Sequence, residues 1–340
     1  MKEFEHLRQA AINMLNVNLG VREGERIAFV TDVPAPGDWE KLPEEVLEDM
    51  LNRARMTRAI CQMMRKAFPA LVVDLICFEQ TGQSGREPDE ETAQRFLNYN
   101  VLVLMTTHSL SHTRARENAC QNGARIASMP GVDAAMFAPN GPMAADYVQI
   151  QEESLALAEM LTRGHSVRIT TPYGTDLSFS IEGRNGRGDT GLLLEPGAFG
   201  NLPGGEAYIA PVEGTAEGVL VVPAGWYPGL KENMRLTFHA GYVISVEGGG
   251  DVGASFRELF NFSNAHLSHR RNCAELGIGT NPNAKRPDNV LEAEKIKGTV
   301  HIAVGDNAHM GGMVESDLHE DFVLPQPTLW IDGERILGEK

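Results

Sequence analysis

Two spacings of apolar residues divide the chain. Through the first half they recur at helical intervals between short β-branched runs, whereas in the second half many alternate with polar or small residues. Phe4, Leu7, Ala11, Leu15 and Leu19 share a helical face, and that segment ends at Gly20 before the strand-like Arg26 to Thr31. Pro43 opens a long helical segment with Glu44 and Glu45 in its first turn, which suits the helix dipole, and the segment runs to about Phe68, ahead of Pro69. The apolar run Ala70 to Phe78, a helix from about Glu90 to Leu97, the strand Val101 to Thr106, a helix around Thr113 to Gln121 and the extended Ala124 to Met129 follow. Alternating strands and helices predict a largely parallel sheet flanked by helices. Tyr147 to Thr162 returns to helical spacing and stops before Gly164, where we place the boundary between an N-terminal α/β domain, residues 1–164, and a β-rich domain, residues 165–340.

Beyond Gly164 the period changes. Val167 to Thr171 and Leu177 to Ile181 alternate and are joined through Pro172-Tyr173-Gly174-Thr175, a hairpin signal. After a loop rich in Gly and Arg, Gly183 to Gly191, the segments Glu206 to Val212, Gly218 to Pro223, Met234 to His239 and Tyr242 to Glu247 read as strands. Helices are expected at Ala254 to Asn261 and near Val290 to Ile296, and Val300 to Val304, bounded by Gly298 and Gly305, is a buried strand. The run Gly248-Gly249-Gly250-Asp251 reads as a turn. No Gly-x-Gly-x-x-Gly or Gly-Lys-Ser/Thr pattern supports nucleotide binding.

Composition narrows the classes. With 340 residues, 42% hydrophobic, the chain can bury a substantial core. Its 30 Lys and Arg against 46 Asp and Glu leave a formal charge of −16, which disfavours nucleic acid or an anionic membrane as partner and suits a peptide or small-molecule substrate. The N-terminus lacks the apolar run of a signal peptide and no stretch approaches the roughly 20 apolar residues of a membrane span, so a cytoplasmic protein is expected. Cys61, Cys77, Cys120 and Cys273 are far apart, with no Cys-x-x-Cys, and read as reduced thiols.

The candidate chemistry gathers in the β-rich half. His301 sits in the middle of an apolar strand, and His319 and Asp321, two apart, point to one face if the chain there is extended. Glu206 follows the tight Pro203-Gly204-Gly205 turn, and Glu275 lies among small and apolar residues. A lone buried carboxylate is costly, and a metal ion would satisfy both glutamates. Imidazole and carboxylate donors suit zinc, cobalt, manganese or non-haem iron, and five of them would suit a pair of ions.

The segments Gly-Gly-Glu-Ala-Tyr-Ile-Ala-Pro, Ala-Glu-Leu-Gly-Ile-Gly-Thr-Asn-Pro, Gly-Thr-Val-His-Ile-Ala-Val-Gly-Asp and His-Glu-Asp-Phe resemble the aminopeptidase T family of thermophilic metallopeptidases, which includes aminopeptidase S. The resemblance is clearest from about Asn201 to Leu337. It implies a metallo-aminopeptidase, a homodimer, with two divalent ions (Zn, Co or Mn) held by Glu206, Glu275, His301, His319 and Asp321, and with Glu206 or Glu275 taking the proton of the attacking water. In the same superfamily, the iron-dependent 2,5-dihydroxypyridine dioxygenases are similar in length and keep the C-terminal His-x-Asp. They use one Fe(II) on a two-His, one-carboxylate site, with a histidine where this chain has Glu275. The two glutamates and His301 favour the peptidase, with a ring-cleaving dioxygenase or a metal-free relative as alternatives. The peptidases usually carry a tyrosine after the His301 strand, and here this chain departs, with Asp306-Asn307-Ala308-His309.

Overall fold

The structure, a computed structural model, describes residues 2–338. The chain forms two compact units, one comprising the residues up to Tyr147 together with Gly191–Gly204, the other Val148–Thr190 and the chain from Gly205 onward. In the first unit β1 (Arg26–Val33), β2 (Val72–Glu79), β3 (Val101–Leu104), β4 (Arg125–Ser128) and β8 (Phe199–Asn201) pair in parallel in the order β2-β1-β3-β4-β8. Residues 27–30 of β1 and all of β3 are buried, the continuous burial of strands covered on both faces. The expected parallel α/β sheet is therefore present. The long segment after Pro43 is the helix Glu44–Ala67, which packs on β1 and buries Met50, Met56, Ile60 and Met64.

The helix Tyr147–Arg163, read from sequence as the end of the first domain, belongs from Val148 on to the second unit, and Gly191–Gly204 returns to the first, where it supplies the edge strand β8. The second unit is built on two antiparallel sheets. The larger has the order β12-β11-β10-β6-β5-β16-β17, from β5 (Ser166–Thr170), β6 (Asp176–Ser180), β10 (Glu217–Val222), β11 (Met234–His239), β12 (Tyr242–Gly248), β16 (Thr328–Ile331) and β17 (Glu334–Leu337). The smaller has the order β15-β14-β13-β9-β7, from β7 (Arg187–Asp189), β9 (Glu206–Ile209), β13 (Cys273–Gly279), β14 (Val300–Gly305) and β15 (His319–Leu324).

One apolar core joins the two sheets: Ile169, Leu177, Leu220 and Leu236 of the larger meet Ile209, Leu276, Ile302 and Phe322 of the smaller. Each such side chain, fully buried, contributes roughly 1.5–3 kcal/mol. Because strand side chains alternate, filling this core commits every second residue of the smaller sheet to its other face. The triple glycine lies at the start of a helix (Gly250–Phe260), with Gly248, Gly249 and Gly250 all at positive φ, and Glu232 Oε1 accepts from the Gly250 N–H at 2.8 Å. A carboxylate of the chain itself thus occupies the anion-favouring end of that helix. No helix among the described residues is long and apolar enough to cross a membrane.

Candidate metal centre

The second face of the smaller sheet carries all five residues singled out from sequence. Across the ladder, Asp189 pairs with Glu206 and Glu206 with Gly279, and Tyr208, Gly277, His301 and Val323 form the next row. Glu275, Ala303 and Asp321 form a third row, and Gly305 lies opposite His319. Small residues alternate with the donors, and the space they leave is used. A Cβ on Gly277 would stand 2.0 Å from both Cε1 and Nε2 of His301, so the imidazole lies directly over that glycine.

At one end of the face, His319 Nε2 lies 3.1 Å from Glu275 Oε2 and 3.7 Å from Asp321 Oδ1. His301 Nε2 lies between the two glutamates, 3.5 Å from Glu275 Oε1 and 3.3 Å from Glu206 Oε2. His319 Nδ1 donates to the Asp306 carbonyl at 2.8 Å. A carbonyl only accepts, so this bond keeps a proton on Nδ1 and turns Nε2 toward the carboxylates, where it donates a proton that a metal ion would replace.

Exposure grades along the face. The His319 and Asp321 side chains are 26% and 14% accessible, against 7% for Glu275 and 1% for His301. The centre is therefore open at its His-x-Asp end and closed beyond His301.

The closed end holds a group that sequence reading missed. Lys295 Nζ, 1% accessible, lies 2.6 Å from Glu206 Oε1, 2.9 Å from Glu294 Oε1 and 3.3 Å from Asp189 Oδ2. In sequence, Lys295 lies near the end of the helix expected around Val290 to Ile296 and carries no local mark of burial. Its burial is made possible by Gly279, where a Cβ would meet the Ile296 carbonyl oxygen at 2.1 Å. Backbone bonds from Asn281 N–H to the Lys295 carbonyl, 2.9 Å, and from Lys297 N–H to the Asn281 carbonyl, 3.1 Å, pin the segment to the sheet.

Upstream, buried Glu292 accepts from the Lys285 and Arg286 N–H groups at 2.7 and 3.2 Å. Glu292→Ala leaves those donors without it and is expected to cost about 1–3 kcal/mol, measured by urea unfolding. A variant unfolding with the native midpoint would show that this bracing contributes nothing.

The electrostatics are those of a face crowded with negative charge. Burial pushes Asp321 up to about 7, against the pull of His319. Burial likewise drives Glu206 above the usual carboxylate range, opposed by the Lys295 ammonium. Burial works against the charged forms of His301 and His319. For His301 the Glu275 hydrogen bond and the Glu206 charge outweigh it and raise the ring to about 9, and for His319 the Asp321 charge and the Glu275 bond raise it to about 10. Glu275 is also opposed by burial, yet its bonds to His301 and His319 hold it far below the carboxylate range. Without a metal ion the face retains protons, and a cation would take their place.

Two trios have ligand atoms within 4.8 Å of one another: Glu275, His301 and Asp321, and Glu206, Glu294 and His301. Glu206 Oε2, Asp321 Oδ1 and His301 Nδ1 are buried with no hydrogen-bond partner among the described residues. These orphaned atoms and the imidazole–carboxylate set fit a bound metal ion. His309 stands beside the open end, its ring 5.4 Å from that of His319 and its Nδ1 2.5 Å from Asp306 Oδ2. His269, by contrast, pairs with Asp317 at 3.5 Å in the segment Ala265–Arg271, which also holds His266.

This architecture recurs in solved enzymes of two kinds. A 2,5-dihydroxypyridine dioxygenase from Pseudomonas putida KT2440 matches with a TM-score of 0.71 at 18% identity, over 98% of this chain and 95% of that one. Wild-type AmpT from Thermus thermophilus matches with a TM-score of 0.62 at 15% identity, over 98% and 97%. Those likenesses define the fold class. Within it, the sequence pattern of the NicX family, 2,5-dihydroxypyridine 5,6-dioxygenase, matches residues 19–339, and the chain belongs to that family. The curated 2,5-dihydroxypyridine 5,6-dioxygenase of Pseudomonas putida KT2440 is 24% identical over 265 residues, 72% of this chain and 71% of that protein.

This membership overturns the aminopeptidase reading, and with it the hydrolase and protease assignments. The motifs behind that reading lie on β9, β13, β14 and β15, strands of a fold that both kinds of enzyme share. Such motifs report the scaffold before they report the reaction. Nothing in the family match calls for two ions.

Proposed function

We propose that the protein is an iron(II)-dependent dioxygenase that opens the ring of 2,5-dihydroxypyridine or a closely related dihydroxylated N-heteroaromatic. The observation that carries this reading is the convergence of two imidazoles, His301 and His319, with Asp321 and Glu275 on one sheet face, in a chain that matches the dioxygenase family pattern over residues 19–339. Two histidines, a carboxylate and open positions are the donor set of non-haem iron oxygenases. Glu275, His301 and Asp321 would hold the metal, with His319, 3.1 Å from Glu275, as the further imidazole donor. Bound there, iron(II) supplies the redox chemistry that lets dioxygen react with an electron-rich ring.

The rest of the reading concerns what the side chains do. The Asp306 carbonyl fixes the His319 tautomer. A crevice lined by Trp226, Tyr227, Pro228, Pro287, Val290 and Ala293 reaches Asp321, and its volume of about 10 Å³ has room for a water and not for an aromatic ring. His309, held by Asp306, is placed at the open end to exchange a proton with a substrate hydroxyl.

The test is anaerobic loading with Fe(II), then addition of 2,5-dihydroxypyridine and air. The expected result is equimolar loss of substrate and oxygen that depends on iron, with 2-hydroxypyridine inert. Fully iron-loaded protein that consumes neither would end this reading.

A further inference from the structure

We propose that Lys295 is a built-in second cation, whose ammonium fills the Glu206 end of the centre and restricts the protein to a single metal ion at the His319–Asp321 end. The inference rests on the metal-centre reading above, but on no particular reaction. It starts from the two overlapping trios, which share His301. Either could accept an ion by donor type. In one of them the place is taken, because Lys295 Nζ is within 2.9 Å of carboxylate oxygens of both Glu206 and Glu294, and Asp189 is a third partner at 3.3 Å. An ammonium has three donors and no acceptor, so three carboxylates match it fully.

The lysine is not a side chain that could swing away. It is 1% accessible, and a buried ammonium without partners is strongly disfavoured. Its backbone is pinned through Asn281 on a surface that only a glycine at 279 leaves free. A metal ion on Glu206 would sit beside this fixed positive charge and be repelled by it. In the other trio no lysine or arginine is paired with Glu275 or Asp321 among the described residues. That end also meets solvent, so an ion there can face substrate. Of the glutamates, Glu206 is then a counter-ion of Lys295, and Glu275 belongs to the metal.

The probe is Mn²⁺ alone, followed by equilibrium titration and electron paramagnetic resonance of the full chain. The native protein is expected to bind about one equivalent tightly with the spectrum of an isolated ion, whereas Lys295→Ala, which frees three carboxylates, is expected to bind about two with the signature of a coupled pair. Glu206→Gln in the otherwise native chain is expected to keep the single tight ion. Two coupled ions in the native protein, a folded Lys295→Ala variant that stays at one, or loss of tight Mn²⁺ in Glu206→Gln would each overturn the proposal. If Lys295→Ala fails to fold even with Mn²⁺ present, the native stoichiometry and Glu206→Gln decide it. Because Mn²⁺ binding is read without turnover, failure here is distinct from failure of the dioxygenase reading.

Discussion

Replacing His319 with alanine is expected to abolish ring cleavage and to weaken iron(II) binding by more than the roughly 100-fold that loss of an outer partner of a metal centre can reach. His319 presents Nε2 to both Glu275 and Asp321, and its proton is held on Nδ1 by the Asp306 carbonyl. Alanine removes the donor and leaves two carboxylates facing each other across the open end, where the pair repels rather than forms a three-sided cage. The fold should survive, because the ring is 26% accessible and β15 keeps its ladder to β14. Competition with a chromogenic chelator gives the affinity, and the circular-dichroism melt in metal-free buffer gives the stability. His309→Ala is the control, expected to keep iron while slowing turnover. A His319→Ala protein that competes for iron as well as the native one would remove His319 from the ligand set.

Gly277→Ala should be almost as damaging through a single methyl group. The backbone there is ordinary extended strand within β13, so no conformational penalty is involved. The added Cβ would lie 2.0 Å from the His301 ring, far inside contact distance. That ring is buried on the sheet face and cannot move toward solvent. Overpacking of this kind costs about 1–3 kcal/mol, and here it also displaces a proposed ligand. Thermal melting with and without iron(II) separates the two effects. A displaced ligand predicts that the native melting temperature rises with iron and that of the variant rises much less, by the linkage between ligand binding and stability. Equal rises would mean that His301 tolerates the methyl group and plays no part in holding the ion.

Much of this centre is legible in the strands themselves. In Val300-His301-Ile302-Ala303-Val304-Gly305, every second residue is an aliphatic side chain of the core, so His301 must face the other way. The same alternation runs through Glu206-Ala207-Tyr208-Ile209, Glu275-Leu276-Gly277-Ile278-Gly279 and Asp321 to Leu324. The segment around Glu275 is harder to recognise as a strand, because its glycines carry little strand propensity. Those glycines are there for close approach, Gly277 beneath His301 and Gly279 beneath the Lys295 segment.

Other features leave no local trace. The strand Phe199–Asn201 pairs with β4 across some seventy intervening residues, a return of the chain that the boundary placed at Gly164 from apolar spacing does not show. The preference for a peptidase had a similar origin. Imidazole and carboxylate donors suit several metals and reactions, and their order along the strands belongs to a scaffold used for more than one. The match across residues 19–339 supplied what those short motifs could not.

The sequence by itself determined the types of donor and the sheet face they share, because the two-residue period of a strand is a local property set by which residues must enter the core. Which cation answers which carboxylate was decided only by the tertiary structure. Lys295 and Glu206 are 89 residues apart in the chain and 2.6 Å apart in space. Charge acts through distance in space, and a lysine with no local mark of burial becomes a fixed part of the centre once folding buries it beside that carboxylate.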